Sequence, residues 1–511
     1  MLARVATFAI DGLEPRLVWV EVDVRAGLPA FAVVGLADAA VREARERVRA
    51  AILNSGFTFP SRRITANLAP AHLRKVGPGF DLALALALLA ASDQAPGQPL
   101  ERWAVFGELS LGGDLRPGGG ALAVAEGTRR AGLDGLILAR ERTPEAALVE
   151  GIAVAGAGSL REVATLLEVP GPSARAGPAP RPPPPAVAEP AAGPDLADVR
   201  GHDVVIEALV VAAAGGHNLL LTGPPGTGKT MLARRLPSIL PPLTRAEAIE
   251  VTRIHSVAGL LQGGGLAAHR PFRAPHHTVS PSGLVGGGSS PGPGEASLAH
   301  HGVLFLDELS EFSRSSLEAL RQPLEDGRVA IVRGQRTCVL PTRFMLVAAT
   351  NPCPCGRLGT VERCACSDAD LARHRRRLSG PLLDRIDVLA VVERPATTAL
   401  ARGPHTTSAT ARRRVAAARR IQERRFGAAG ISCNGQMDAR LAAAHGALTA
   451  TAARTLAAAY EASQLSARGH HRVLRLARTI ADLEGSERVQ GAHVHHALSL
   501  RRDGAPGRAA A

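Results

Sequence analysis

The sequence predicts an α/β protein with two α/β domains followed by a helical domain. A glycine-rich loop at 223–230 stands between an apolar run and a helix-like segment, which is typical of an α/β nucleotide-binding core. A proline- and alanine-rich stretch at 170–195 cannot form a helix and predicts an extended linker. An alanine- and arginine-rich tail has helical spacing. We therefore expect domains at 1–169, 196–395 and 396–511, the last being a helical lid.

The first domain alternates strand-like and helix-like segments. Val18–Val24 and Ala30–Val34 have the composition of strands, and Ala39–Leu53 has the spacing of an amphipathic helix. An apolar helix is expected at 82–91. The mixture of both element types within one domain predicts an α/β fold.

Composition favours an anionic partner. The 511 residues carry a formal net charge of +14, which favours a polyanion such as nucleic acid. A general drift toward Arg and Ala is the competing explanation for the basic surplus. Lys occurs only at positions 75 and 229, so nearly all basic residues are Arg.

Export and membrane insertion are not indicated. Asp11 interrupts the N-terminal region before an apolar stretch of signal-peptide length develops. The longest apolar run, Leu82 to Ala91, is about half of a membrane span. Six cysteines in a chain of this length do not make a disulfide scaffold. We expect a cytoplasmic protein without membrane association.

A phosphate-binding loop follows the apolar strand expected at 217–222. Its glycines allow backbone N–H groups to approach phosphate, and the helix that follows adds a positive dipole. Lys229 would reach the β and γ phosphates, and the hydroxyl of Thr230 would bind Mg²⁺. The nucleotide-binding candidates are Gly223, Pro224, Pro225, Gly226, Thr227, Gly228, Lys229 and Thr230.

Polar side chains end two further strands. The run 302–306 leads into Asp307, suited to a water-mediated Mg²⁺ contact, and Glu308, suited to polarising the attacking water. The run 344–350 ends at Asn351, whose amide is expected to orient that water or touch the γ-phosphate, although a simple turn Asn before proline is the alternative.

Two arginines are candidates for completing hydrolysis. Arg385 lies in Leu378–Asp387, near the end of the α/β core, where an arginine from a neighbouring subunit would stabilise charge on the transferred phosphoryl group. Arg468 is the candidate for a second sensor from the helical lid. An ordinary surface arginine is the alternative at each position.

Several long motifs together resemble the YifB/ComM family of magnesium-chelatase-like AAA+ ATPases. The motifs are PHHTVSPSGLVGGG at 275–288, PGEASLAHHGVLFLDELSEF at 293–312, LRQPLEDG at 320–327, NPCPCG at 351–356 and LSGPLLDRID at 378–387. The resemblance implies a homo-hexameric ring ATPase of the helix-2-insert class, related to magnesium chelatase I subunits and MCM helicases, that uses ATP and Mg²⁺.

The same resemblance assigns residue roles and a biological setting. It implies nucleotide and catalytic roles for Lys229, Thr230, Asp307, Glu308 and Asn351. It also implies an arginine-finger role for Arg385 and a second-sensor role for Arg468. The ComM branch is associated with natural transformation, where it acts as a helicase that drives branch migration during recombination.

The first domain resembles the Lon protease proteolytic domain, with a ribosomal S5 domain 2-like fold. Lon-type enzymes carry a nucleophilic Ser after Gly-Pro, and this sequence has Gly79 there. The position that matches the catalytic Lys is Leu122. Ser–Lys hydrolysis has no mechanism without both groups. We expect a non-proteolytic scaffold or a DNA-engaging collar.

Four cysteines cluster after Asn351. The pattern C-x-C, eight residues, C-x-C could form a tetrahedral zinc site, although C-x₂-C spacing is the commoner zinc pattern. Reduced thiols in a loop and a redox pair are the alternatives. The candidate ligands are Cys353, Cys355, Cys364 and Cys366.

A basic hairpin is the candidate for DNA contact. The segment from Gly327 reads as a β-hairpin turning at Gly334–Gln335, with Arg333 and Arg336 flanking the turn. Two arginines at a hairpin tip suit phosphate contact without base preference, whereas a solvated hairpin end is the alternative. The arginines of helix 411–426 fit a solvated face or DNA equally.

Three function classes remain for this chain. The first is a DNA-stimulated ATPase that acts as a helicase or branch-migration motor. The second is a magnesium-chelatase-type or chaperone-type ATPase that remodels a protein partner. The third, an ATP-dependent protease, is opposed by Gly79 and Leu122. We expect DNA, single-stranded or branched, as the partner.

Overall fold

The computed structural model describes most of the chain. The described residues are 1–35, 39–73, 75, 77–168, 193–261, 265–288, 292–333, 336–359, 363–377, 380–400, 406–427, 430–462 and 465–502. The linker expected at 170–195 lies outside them, apart from its last three residues.

The N-terminal part forms a mixed α/β domain, as the sequence predicts. The expected strands at 18–24 and 30–34 lie in β2 and β3, and the expected helices are α1 and α2. Its strands are β1 (Leu2–Asp11), β2 (Glu14–Arg25), β3 (Ala30–Val34), β4 (Arg63–Ala69), β5 (Trp103–Phe106), β6 (Glu108–Leu109), β7 (Leu115–Arg116), β8 (Gly135–Ala139) and β9 (Ala153–Ala157). Its helices are α1 (Ala39–Asn54), α2 (Asp81–Ala91), α3 (Ala121–Arg130), α4 (Thr143–Ala146) and α5 (Leu160–Glu168).

Seven of these strands form one twisted sheet in the order β3-β4-β2-β1-β5-β8-β9. Strands β1 and β2 pair antiparallel, whereas β5, β8 and β9 run parallel to one another. Helix α2 lies wholly inside the domain core, because each of its residues is buried. Its run of Leu and Ala leaves no polar face beyond Asp81, so the helix cannot lie at the surface.

The second part contains the parallel sheet expected for a nucleotide-binding core. Its strands are β10 (Leu219–Thr222), β11 (Phe272–Arg273), β12 (Gly286–Gly287), β13 (Gly292–Pro293), β14 (Val303–Leu306), β15 (Arg328–Arg333), β16 (Arg336–Pro341), β17 (Met345–Thr350) and β18 (Val388–Val391). Its helices are α6 (Asp203–Gly215), α7 (Lys229–Ile239), α8 (Arg245–Val257), α9 (Pro281–Val285), α10 (Glu295–Leu298), α11 (Arg314–Ala319), α12 (Arg321–Asp326), α13 (Asp368–Arg377), α14 (Gly380–Leu383) and α15 (Thr397–Leu400).

Five parallel strands make the sheet in the order β11-β14-β17-β10-β18. Strands β10, β14 and β17 are buried along their whole length, as the continuous apolar runs predict. Because neighbouring strands are parallel, the segments that follow β10, β14 and β17 emerge at one edge of the sheet.

The C-terminal part is helical, as expected. It contains α16 (Ser408–Phe426), α17 (Ala439–His445), α18 (Ala450–Glu461), α19 (Ala467–Leu483) and α20 (Gly491–Arg502). Arg425 of α16 holds Asp482 of α19 through a bond of 2.8 Å from Nη1 to Oδ2. The lid joins the core cluster that includes α6 and β10.

The N-terminal domain packs against helix α8 of the core. The Gly120 amide donates to Ser256 Oγ at 2.8 Å, and Arg253 pairs with Glu126 at 2.8 Å. Leu13, from the turn between β1 and β2, packs with Val329 of β15. The N-terminal domain is therefore in direct contact with the core.

Among the described residues, every helix is too short or too polar to cross a membrane.

Candidate functional site

Three strand ends bring the sequence-predicted nucleotide residues together. The loop Gly223–Thr230 follows β10, Asp307 and Glu308 follow β14, and Asn351 follows β17. These strands are direct neighbours in the sheet, with β17 between the other two. The parallel arrangement therefore gathers a glycine-rich loop, two acids and an amide at one edge.

The loop has the backbone shape that anion binding needs. Gly226 and Gly228 have φ values of +78° and +90°, which a side chain would strain. Apart from its chain neighbours, no described atom lies within 4 Å of a Cβ placed on Gly226, so open space adjoins the exposed loop there. Helix α7 begins at Lys229, and its N-terminal dipole points toward that space.

Lys229 is held inside the loop. Its Nζ donates to the carbonyls of Gly223 and Pro224 at 2.7 Å each and to Asn351 Oδ1 at 3.1 Å. Burial lowers the pKa of this ammonium, while Asp307 and Glu308 oppose the shift. An anionic phosphate would supply the counter-charge that the loop carbonyls supply only in part.

Thr230 and Asp307 form the oxygen pair that suits a magnesium ion. Thr230 Oγ1 donates to Asp307 Oδ2 at 2.7 Å. A hydroxyl and a carboxylate oxygen beside a phosphate site are the hard ligands that Mg²⁺ prefers, so the residues fit this ion. Thr230 and Asp307 would hold the ion, which would neutralise charge on phosphate oxygens.

Glu308 points away from Asp307 into the open part of the site. Its backbone is left-handed at φ +52°, and its amide donates to Asp307 Oδ1 at 3.0 Å. The side chain is 60% exposed, so the carboxylate is available to a water molecule. The strained turn thus separates a metal-facing acid from a water-facing acid.

His277 reaches the same place, which the sequence did not indicate. Its Nδ1 lies 3.8 Å from Glu308 Oε2, and its ring stacks against His276 at 4.0 Å between centroids. Their position beside the water-facing acid makes His277 a candidate for orienting Glu308. No local spacing joins residues 31 positions apart.

Asn351 links the loop to the segment that follows β17. Its side-chain oxygen accepts from Lys229, and its backbone oxygen lies 3.0 Å from His374 Nε2 on α13. The amide thus stands within reach of a γ-phosphate held by Lys229. This geometry fits the predicted sensor role better than a simple turn.

Arg385 and Arg468 lie elsewhere. Both line a cavity of about 580 Å³ that also includes Asn218 and Met345, at the starts of β10 and β17. Arg385 forms an ion pair with Glu325 of α12. The cavity opens at the edge of the sheet opposite the nucleotide loop. Neither arginine is placed to touch a nucleotide bound by its own chain.

A buried ionic network ties the lid to this cavity. Asp387 Oδ2 lies 3.2 Å from His217 Nδ1, and Oδ1 lies 3.3 Å from Arg475 Nη2. Arg472 of α19 is 3.8 Å away. Burial opposes the charge of Asp387, but Arg475 and His217 hold its pKa well below the ordinary value. The last residue of the LSGPLLDRID motif therefore anchors α19 against the core.

The four clustered cysteines converge in space. Cys353 is buried, and its Sγ lies 3.4 Å from that of Cys355 and 3.7 Å from that of Cys364. All four sulfurs, including that of Cys366, lie within 4.8 Å of one another. The backbone amides of Arg357 and Ala365 lower the pKa of the Cys355 thiol to about 6.

The expected basic hairpin exists. Strands β15 and β16 pair antiparallel, and Arg333 stands opposite Arg336 at the last paired position. The turn residues Gly334 and Gln335 lie outside the described residues, so phosphate contact by the two arginines stays a prediction. Val332 is exposed near this end of the hairpin.

Three arginines of helix α16 bind residues of the core. Arg414 pairs with Glu207 of α6 at 2.8 Å, and Arg419 donates to the Ala213 carbonyl at 2.9 Å. Arg412 donates to the Ser238 carbonyl at 2.8 Å. These three side chains hold the lid to the core, whereas Arg413, Arg420 and Arg424 are exposed, as the solvated-face interpretation predicts.

The N-terminal domain has no room for a nucleophile at Gly79. A Cβ placed there would lie 2.7 Å from Phe106 Cε2. Leu122 is buried, and its amide donates to Glu145 Oε1 at 2.8 Å. Both positions are filled by packing; the absence of proteolytic activity stays a prediction.

Three family models match the chain. The model described as magnesium chelatase, subunit ChlI, matches residues 195–400. The model described as subunit ChlI of Mg-chelatase matches residues 20–142. The model described as magnesium chelatase, subunit ChlI C-terminal, matches residues 405–501.

Relatives of similar length span nearly the whole chain. An uncharacterized protein of Mycobacterium tuberculosis is 43% identical over 99% of both chains. The uncharacterized protein YifB of Escherichia coli and the competence protein ComM of Haemophilus influenzae are each 41% identical, over 98% of this chain and 97% of theirs. The nucleotide loop, the acid pair and these relatives together establish that the chain belongs to the YifB/ComM family of magnesium-chelatase-like AAA+ ATPases.

Proposed function

We propose that this ATPase is a DNA motor that works as a ring of six subunits and promotes branch migration in recombination or natural transformation. The observation that carries the DNA part is the β15–β16 hairpin, with Arg333 opposite Arg336 at its end. Guanidinium groups there would follow the phosphate backbone without reading bases. The net charge of +14 and the competence role named for ComM support the same substrate.

The ring part of the proposal rests on the two arginines of the cavity. Arg385 and Arg468 stand at the sheet edge away from Lys229, so they would serve a nucleotide held by the neighbouring subunit. Such an interface is heterologous and closes into a ring. ATP hydrolysis would then require contact between subunits, which is how a ring couples chemistry to movement.

Each residue of the nucleotide site takes one task in this proposal. Lys229 binds the β and γ phosphates, while Thr230 and Asp307 hold Mg²⁺. Glu308 polarises the attacking water, and Asn351 orients it. Arg385 of the neighbouring subunit stabilises the charge that develops on the phosphoryl group.

The direct test is ATP turnover by the full-length protein with and without forked DNA, together with displacement of a labelled strand. We expect DNA to stimulate turnover and the fork to be opened. Lys229→Ala should abolish both activities. A protein that hydrolyses ATP but neither binds DNA nor responds to it at moderate salt would overturn the DNA motor.

A second function is favoured by the magnesium chelatase descriptions of all three matching families. In that case the same ATPase would remodel a protein partner. Turnover that is insensitive to DNA but stimulated by a co-purifying protein would support this alternative. Both functions use the same nucleotide site, so only the response to the partner distinguishes them.

A further inference from the structure

The cysteine cluster has the dimensions of a metal–tetrathiolate site. A tetrahedral site with zinc–sulfur bonds of about 2.3 Å has sulfurs separated by about 3.8 Å along each edge. The sulfurs of Cys353, Cys355 and Cys364 lie 3.4 to 3.7 Å apart. The sulfur of Cys366 lies within 4.8 Å of each of these three.

The other interpretations of the cluster fit this geometry less well. A disulfide joins two sulfurs that lie about 2.05 Å apart. It does not explain why the sulfurs of a second pair of cysteines lie beside the first pair. Reduced thiols in a loop have no reason to converge from two segments nine or more residues apart. The Leu358 amide also donates to Cys353 Sγ at 3.3 Å, which favours a sulfur that carries negative charge.

The position of the cluster connects it with the nucleotide site. Cys353 follows Asn351 by two residues, and Gly356, directly after Cys355, packs on the phosphate-binding loop. Gly356, at φ +76°, lies so close that a Cβ there would be 2.5 Å from Pro225 Cδ. A ligand that holds the four cysteines in place would therefore also hold the surface against which Pro225 packs.

We propose that Cys353, Cys355, Cys364 and Cys366 bind one structural zinc ion, which braces the segment after Asn351 against the phosphate-binding loop. Four thiolates form a closed coordination shell with no open position for a substrate. Zinc also matches the soft thiolate set without requiring a redox role. The ion thus acts on catalysis only through the position of Asn351 and Pro225.

The metal content of the protein tests this proposal without a measurement of ATP turnover. The result therefore does not depend on whether the protein is a DNA motor. The full-length protein, purified without chelators, is expected to hold about one zinc per subunit by elemental analysis. A mercurial reagent that titrates thiols should release this zinc into a colorimetric indicator. Zinc release is measured on the wild-type protein, so its result remains valid even if a cysteine variant fails to fold.

Two substitutions make a matched comparison. Cys364→Ser should lose the zinc, whereas Cys338→Ser, a half-buried cysteine in β16 outside the cluster, should keep it. Replacement of zinc by cobalt(II) should give the intense visible bands of tetrahedral thiolate coordination in Cys338→Ser and not in Cys364→Ser. Cobalt spectra therefore report the sulfur ligands directly.

Three results would overturn the assignment. Wild-type protein without bound metal would remove the site. Zinc that survives Cys364→Ser would place the ion elsewhere. Iron in place of zinc, with the coloured spectrum of an iron–thiolate centre, would reject zinc as the resident ion. Where zinc is lost, we also expect the KM for ATP to rise, because Pro225 loses its support.

Discussion

Arg385 and Lys229 belong to opposite edges of the same sheet, and this separation predicts complementation between two inactive variants. Strand β10 has four residues, so the two edges are roughly 13 Å apart. Arg385 is also held at its edge by Glu325. If it acts on the neighbouring subunit's nucleotide, Arg385→Ala and Lys229→Ala damage different halves of each interface.

The expected recovery of ATP turnover follows from the fact that each interface takes the phosphate-binding loop from one subunit and Arg385 from the next. Each variant alone should be almost inactive, because an arginine finger contributes about 10³- to 10⁵-fold to turnover. In a mixed ring, an active interface needs an intact loop on one subunit and an intact Arg385 on the next. At equal amounts that combination arises at about one quarter of interfaces, so the mixture should recover about 25% of wild-type turnover.

The assay mixes the two variants before ring assembly and measures phosphate release per subunit at saturating ATP. Glu325→Gln is the matched control, since it removes the ion pair but keeps the Arg385 guanidinium in the chain, and it should retain most of the turnover. A mixture that stays at the background of the separate variants refutes action between subunits. Normal turnover by Arg385→Ala alone refutes the finger itself.

Other substitutions test the remaining roles. Glu308→Gln should keep ATP binding but lower hydrolysis by about 10²- to 10⁴-fold, measured as nucleotide retention against phosphate release. Replacing Arg333 and Arg336 with Ala should weaken DNA binding uniformly across sequences and flatten its salt dependence in titrations at several ionic strengths, leaving DNA-free turnover intact. Asp387→Asn should cost about 3 kcal/mol and lower the melting temperature by roughly 6–12 °C at neutral pH, because it leaves Arg475 without its buried partner. Since the pKa of Asp387 is depressed, its contribution is present above the unfolded carboxyl pKa of about 4 and is lost only as pH falls toward the lower folded pKa. An equal effect of Asp387→Asn in strong acid would contradict this.

The nucleotide residues were predictable because each follows a buried strand: Asp307 and Asn351 directly, and Lys229 through the short glycine-rich loop after β10. An apolar run identifies a buried strand, and the residue that follows must emerge at the carboxyl edge. The side chains of Lys229, Asp307 and Asn351 therefore meet once the strands are neighbours. The sequence pattern indicates which residues follow the strands. Because the strands pair in parallel, these residues lie at the same edge of the sheet.

The remaining parts of the site depend on contacts that no local pattern encodes. His277 lies 3.8 Å from Glu308 although the two residues belong to segments far apart in the sequence. Asp387 reaches His217 and Arg475 through packing of the lid on the core. C-x-C spacing left metal, thiols and a redox pair open, and only the convergence of the sulfurs favours the first.

The N-terminal domain packs against the part of the core that carries the hairpin. Leu13 packs with Val329 and Leu340, which form the base of the hairpin proposed to contact DNA. On the other side, the Gly120 amide holds Ser256 of α8. A force on the hairpin is therefore borne by the N-terminal domain as well as by the core sheet. From these contacts we expect the N-terminal domain to support the hairpin mechanically.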